Sequence, residues 1–190
     1  MTKKMVRMVL VLAAGLLALP LAARNVPQGT ADAKANPGES QIVLGQWNES
    51  ARKLIAMAED FPEDKYDYKA TPAVRSFAEQ ILHAAGAMYY FTAPAQGQTP
   101  ASEDPARAKY KTKADVVAYL KKAAEDGAAV IKAKGDKGMN DLVTDPDSKQ
   151  KMHVSDLAYG LIEHSGEHYG QLVVYYRLNN LVPPESRPKK

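Results

Sequence analysis

Hydrophobic residues recur every three or four positions in four stretches of the chain, residues 40–60, 71–92, 113–134 and 154–181. This spacing places the hydrophobic side chains of each stretch on one face of a helix. None of the four stretches shows the alternating pattern of a half-buried strand. We therefore predict an all-α fold in which four amphipathic helices pack as a four-helix bundle.

The residue types at the ends of these stretches agree with helices. Pro62 follows the first stretch and Gly135 follows the third, and both residues are common where helices end. Thr71 and Pro72 are typical of a helix start, so we predict that the second helix begins there with threonine as its N-cap. In the first helix Trp47 lies on the hydrophobic face and is expected to anchor the core.

The fourth stretch carries two histidines where a helix normally buries hydrophobic side chains. His168 lies in the stripe formed by Val154, Leu157, Leu161, Leu172 and Tyr175, and His164 lies at its edge one turn earlier. Residues four apart stand one above the other on a helix, so both rings can reach one metal ion. A buried imidazole without a polar partner is costly, and a bound metal would satisfy both.

A third histidine ligand is less evident from periodicity. His83 lies almost opposite the hydrophobic stripe of the second helix, and this position alone indicates a surface histidine. Gly86 and Ala87 beside it would nevertheless allow another helix to approach closely. His153 precedes His164 by three helical turns, or about 16 Å, and cannot reach the pair. Because the chain has only four histidines, His83 is the remaining candidate.

The N-terminal segment has the pattern of a secretory signal peptide. Residues 1–23 combine a basic start, a hydrophobic run and small residues before a cleavage point after Ala23. A retained membrane anchor is the alternative, but the hydrophobic run is shorter than a spanning helix requires. We predict a periplasmic or secreted protein with a flexible lead-in at 24–38, the bundle at 39–184 and a basic tail at 185–190.

Composition narrows the possible functions. The chain has 25 basic and 22 acidic residues, and three of the basic residues lie in the predicted signal peptide, so the mature chain is formally neutral. We therefore expect no nucleic-acid partner, and no membrane partner after signal cleavage. The chain has no cysteine, which excludes disulfides, thiolate ligands and a thiol nucleophile.

The sequence does not complete any of several known catalytic motifs. His164 to His168 matches the His-x-x-Glu-His pattern of inverted zinc peptidases, but Glu185 is the only carboxylate downstream that could supply their acidic ligand. The Glu-x-x-His pairs of di-metal bundles and the Gly-x-Ser-x-Gly motif of serine hydrolases do not occur. Three histidines instead suit one Zn, Ni, Fe, Mn or Cu ion, with a position left for water or substrate.

Two segments carry a family resemblance, TPAVRSFAEQILHAAGA at 71–87 and EHSGEHYGQLVVYYRLNNLVPP at 163–184. They resemble the DinB/YfiT-like family of bacterial four-helix-bundle proteins, which is unrelated to the DNA polymerase of similar name. The resemblance implies that His83, His164 and His168 form a divalent-metal triad at one end of the bundle. Some relatives are thiol transferases, whereas Tyr169 stands where family members often carry an arginine.

Two functional hypotheses follow. The first is an exported metal-binding protein that acts as a metal-dependent hydrolase or transferase on a small molecule, with its catalytic residues unknown. Glu167 is the nearest candidate base by sequence, and Gln171 is expected to orient a histidine ring. The alternative is a non-catalytic bundle that binds a metal or partner in a structural or stress-related role. Hydrogen-bonded histidines in a metal-free core, and a homodimer through the first or third helix, also stay open.

Overall fold

The computed structural model describes residues 36–188, so the predicted signal peptide and most of the predicted lead-in lie outside the described residues. The described chain contains four long helices and one short hairpin. Their bounds are α1 Glu39–Asp60, α2 Phe77–Thr92, α3 Lys113–Met139, β1 Leu142–Thr144, β2 Lys151–His153 and α4 Val154–Leu178. Within residues 36–188, no helix combines the length and hydrophobicity needed to cross a membrane.

The helices pack as the predicted all-α bundle. α1 packs against α3 and α4, and α2 packs against the same two helices, so α1 and α2 occupy diagonal positions. The predicted hydrophobic face of α1 forms part of the core, with Val43, Trp47, Ala51, Leu54 and Ala58 all buried. α2 packs beside α4, and these two helices carry the three candidate histidines.

Aromatic residues close one end of the core, where α1 ends, α2 begins and α4 ends. Phe61 stacks on Phe77 with 3.8 Å between the ring centroids, and Tyr66, Tyr175 and Tyr176 surround this pair. The buried Tyr176 hydroxyl donates a 2.7 Å hydrogen bond to the carbonyl oxygen of Met57. This bond satisfies the phenol group of Tyr176, so the cluster combines a large buried hydrophobic area with a fixed ring orientation.

The predicted start of α2 is wrong by several residues. The helix begins at Phe77, because Ser76 accepts a hydrogen bond from the backbone of Glu79 while the Glu79 carboxylate accepts one from the backbone of Ser76. This reciprocal capping box satisfies two backbone donors at once. The segment from Thr71 instead forms a turn, and Val74 within it is exposed.

The region after Gly135 also differs from the prediction. Gly135 adopts φ +58°, which kinks the helix without ending it, and helical structure continues to Met139. The antiparallel hairpin that follows pairs Val143 with Met152. Strands of three residues are too short to produce a readable alternation, so the hydrophobic pattern did not indicate this hairpin.

The segment after α4 lies against α1. Glu185 pairs with Arg52 at 2.8 Å, and the Arg187 guanidinium binds the Asp60 carboxylate with both terminal nitrogens. The guanidinium holds the pKa of Asp60 below its usual value, with a further contribution from the Tyr176 hydroxyl. The chain therefore continues to contact the bundle beyond residue 184, where the sequence had indicated the start of a tail.

Replacing Arg187 with alanine is expected to destabilise the protein near neutral pH. A carboxyl whose folded pKa is depressed contributes stability above its unfolded pKa of about 4, and this contribution is lost as the pH falls through the folded pKa. Urea unfolding of Arg187→Ala and wild type across this range should show a difference that shrinks in acid. The exposed Arg177→Ala on α4 serves as control. A difference independent of pH would contradict this role for the ion pair.

Candidate metal centre

Three histidines from two neighbouring helices meet at one point in the bundle. His83 comes from α2, and His164 and His168 come from successive turns of α4. Each of the three can offer one ring nitrogen such that these atoms all lie within 4.8 Å of one another. The structure thus brings together the three residues that the sequence singled out, and this group could hold a metal ion.

The three rings lie close together, and those of His164 and His168 approach each other through Nε2. The Nε2 atoms of His164 and His168 are 2.9 Å apart, and the centroid of the His83 ring lies 4.8 Å from that of His168 and 5.4 Å from that of His164. His83 and His168 are buried, whereas the His164 side chain retains 23% of its exposure. His164 is therefore the member of the group nearest to solvent.

In two of the three histidines, the second ring nitrogen, Nδ1, lies against a polar side chain. His83 Nδ1 lies 3.0 Å from a carboxylate oxygen of Asp104, and His168 Nδ1 lies 2.6 Å from the side-chain amide of Gln80. The Glu167 carboxylate is nearest to Nδ1 of His164, at 3.8 Å. Histidines that bind metals commonly hold their second nitrogen in this way, which fixes the ring and leaves the first nitrogen for the ion.

Gln80 explains how His168 is oriented. The Gln80 atom that lies against His168 Nδ1 is the amide nitrogen. A ring that offers its Nε2 lone pair to a metal carries its proton on Nδ1, so in the metal-bound form the Gln80 amide has to turn and present its oxygen to accept this proton. Gln171, which was expected to orient a ring, contacts the Gln80 amide and so extends the same network by one residue. The sequence did not indicate Gln80, because its partner lies on another helix.

The prediction from the helical wheel that His83 faces solvent is wrong, since the residue is only 8% exposed. Every residue from Ile81 to Met88 is buried, so α2 is covered on all sides. The loop between α2 and α3 covers the face opposite the core, and its backbone at Glu103 approaches Gly86 so closely that a Cβ there would overlap the Glu103 carbonyl oxygen. A loop, and not another helix, uses the space that Gly86 provides.

This loop adds two acidic residues that the sequence analysis missed. Asp104 contacts His83 Nδ1 and also pairs with Arg75 at 3.0 Å, while Glu103 Oε2 lies 3.7 Å from His83 Nε2. The loop is long and contains three prolines, but it carries no recognisable motif. The acidic pair in this loop, Glu103-Asp104, was the only available signal, and nothing in its spacing points to His83.

The charges of the site favour neutral imidazoles. Burial lowers the pKa of His83, and burial together with the neighbouring imidazoles lowers the pKa of His168 to about 4. Both rings are therefore neutral near pH 7, which is the form that binds metals. Burial has the opposite effect on a carboxyl group and raises the pKa of Glu103.

Two further residues lie away from the centre. His153 is exposed at the start of α4, as expected, and its Nδ1 lies 2.9 Å from the carbonyl oxygen of Asn140. Glu167 is exposed and lies on the Nδ1 side of His164, away from the Nε2 atoms. This placement does not suit the general base of a zinc peptidase, which must reach a water on the metal.

Comparisons with known proteins agree with the fold and indicate the family. The chain is similar to a DinB-like protein from Bacillus cereus, whose crystal structure superimposes with a TM-score of 0.63 at 15% identity over 75% of this chain and 93% of that one. Among curated proteins, none matches significantly. The sequence profile of the DinB superfamily matches residues 23–172, which include all three histidines of the group. The chain therefore belongs to the DinB superfamily.

Proposed function

We propose that this protein binds one divalent metal ion through His83, His164 and His168, and acts outside the cytoplasm as a metal-dependent hydrolase or transferase on a small molecule. The observation that carries the proposal is the convergence of three histidines, two of which have Nδ1 within hydrogen-bonding distance of a polar side chain. This pattern leaves three nitrogen donors for one ion, and Zn, Ni, Fe and Mn all accept such donors.

The protein's own residues would bind and orient the ion. Asp104 fixes the His83 ring and Gln80 fixes the His168 ring, so both hold their Nε2 atoms in place before an ion arrives. The partly exposed His164 marks the side from which a small molecule could approach. A bound divalent ion supplies Lewis acidity, which lowers the pKa of a coordinated water or thiol.

The proposed location favours hydrolysis over thiol transfer. Export rests on the signal-peptide pattern of residues 1–23. The low-molecular-weight thiols used by some relatives belong to the cytosol, whereas water is available as a co-substrate everywhere. We therefore place a hydrolase first and a thiol transferase second among the reactions to be tested.

A non-catalytic metal site is the second candidate. The observation that favours it is Glu103, a largely buried carboxylate at 3.7 Å from His83 Nε2. Three histidines and a carboxylate would complete the shell of a tetrahedral ion, and structural zinc sites are closed in this way. The two candidates therefore differ in whether a coordination position stays open.

Metal content tests the proposed site. We expect about one equivalent of metal in the purified wild type by elemental analysis, and a loss of most of it in His164→Ala, because two ligands hold an ion far less tightly than three. His153→Ala is the matched control and should retain the metal, since His153 lies outside the group. A wild type that binds no metal even after incubation with Zn, Ni, Mn and Fe(II) would overturn the proposal. If the wild type does bind metal, the metal-loaded protein would be screened against ester, amide and phosphoester substrates.

A further inference from the structure

Glu103 occupies an unusual position beside the histidine group. Its carboxylate approaches Nε2 of His83, which is the nitrogen left over when Asp104 contacts Nδ1. The Glu103 side chain is 21% exposed, whereas its neighbour Asp104 is 59% exposed. Two consecutive acidic residues therefore reach the same ring at different nitrogens, and Glu103 is the one that lies beside Nε2.

The backbone around Glu103 is held in place. Its carbonyl oxygen lies against Gly86, where no side chain larger than hydrogen fits. The following residue, Asp104, is fixed by the ion pair with Arg75 and by a 3.1 Å hydrogen bond from its backbone nitrogen to Ser102 Oγ. The approach of Glu103 to the histidines is therefore a consequence of how the loop packs on α2.

The charge of Glu103 is poorly compensated by the protein alone. Among residues 36–188, His83 is the only basic group within 4 Å of its carboxylate. A carboxylate in such surroundings usually has a cation as its partner.

We propose that Glu103 is a fourth protein ligand of the metal, supplied by the loop between α2 and α3. This inference rests on the proposed function, because it requires the three histidines to bind the ion. Three nitrogens and one carboxylate oxygen form a harder donor set than three nitrogens alone, and the set suits Zn, Fe and Mn better than Cu. A four-coordinate ion would then be closed to substrate, whereas a five- or six-coordinate ion would keep an open position.

The test compares metal affinity in Glu103→Gln and wild type by competition with a chromophoric chelator, with Zn and Co(II) as the probes. We expect an affinity loss of at least about tenfold in Glu103→Gln, in the range seen when groups around a metal are removed. The visible absorption of the Co(II) protein should also change, because this spectrum reports the ligands themselves. Glu163→Gln is the matched control, since it removes an exposed carboxylate next to His164 and should leave both measurements unchanged.

A second variant reaches Glu103 through the backbone. Gly86→Ala places a methyl group against the Glu103 carbonyl oxygen, so the loop must shift and the affinity should fall in the same direction as in Glu103→Gln. Gly45→Ala is its control, because a Cβ at this helical glycine meets open space. Circular dichroism of all four variants verifies that the bundle is folded before affinities are compared.

The outcomes separate this inference from the proposed function. If wild type binds metal and Glu103→Gln binds it as tightly, with an unchanged Co(II) spectrum, the histidine site stands and Glu103 is not a ligand. An equal loss of affinity in Glu163→Gln would also overturn the inference, because the effect would then be one of charge alone. If wild type binds no metal, both proposals are wrong.

Discussion

Zinc at a thousandfold excess over its dissociation constant is expected to stabilise the protein by about 4 kcal/mol, because the folded state holds three converged histidines that the unfolded chain does not. For a protein of this size, that corresponds to an increase in melting temperature of about 8–16 °C. Thermal unfolding followed by circular dichroism, with and without zinc, measures the shift.

The histidine variants show whether this stabilisation comes from the proposed site. Each variant is compared with itself in the presence and absence of zinc, so a change in the stability of the metal-free protein does not affect the result. His168→Ala should lose nearly all of the shift, whereas His153→Ala should keep it, because His153 is not part of the group. An equal shift in both variants would place the zinc elsewhere on the protein.

Trp47→Ala is expected to cost about 3–5 kcal/mol of the free energy of unfolding, the usual range for removing a large aromatic side chain from a core. The indole is 1% exposed, and its Nε1 donates a 2.9 Å hydrogen bond to the carbonyl oxygen of Ala124 on α3. The ring also fills the space above Gly127, where a Cβ would overlap it. The change therefore leaves a cavity between α1 and α3 and removes a bond between the two helices.

Urea unfolding followed by circular dichroism is the appropriate measurement, because Trp47 is the only tryptophan and its fluorescence is lost with it. Trp47→Phe should have a smaller effect, since it keeps an aromatic ring and loses mainly the hydrogen bond to Ala124. Val174→Ala on the exposed face of α4 is the surface control and should stay within about 0.5 kcal/mol of wild type. A Trp47→Ala effect as small as this would contradict its role in the core.

Helical periodicity determined much of the fold. The spacing of hydrophobic residues identified four helices and the buried face of α1, and Pro62 marked the end of α1 correctly. These features are readable because they depend on residues that are close in sequence. The two histidines on α4 were readable for the same reason, since a separation of four residues places them on one side of a helix.

Residue types that mark helix starts and ends did not predict every helix boundary correctly. Thr71-Pro72 and Ser76 with Glu79 both resemble helix starts, and the pair of reciprocal side-chain bonds at Ser76 determines where α2 begins. Gly135 resembles a helix end, yet its positive φ only kinks α3. Such choices depend on small differences in free energy that packing against the rest of the bundle decides.

The candidate site, too, has features that the sequence determined and features that depend on the tertiary structure. The sequence by itself determined an all-α bundle, the pair on α4, and His83 as the one remaining histidine able to join them. Only the tertiary structure decided that His83 is buried, that Gln80 contacts His168 Nδ1, and that Glu103 and Asp104 approach His83 from the loop. The physical reason is that a helical wheel describes one helix in isolation, whereas a side chain's surroundings depend on segments distant in sequence that fold against it.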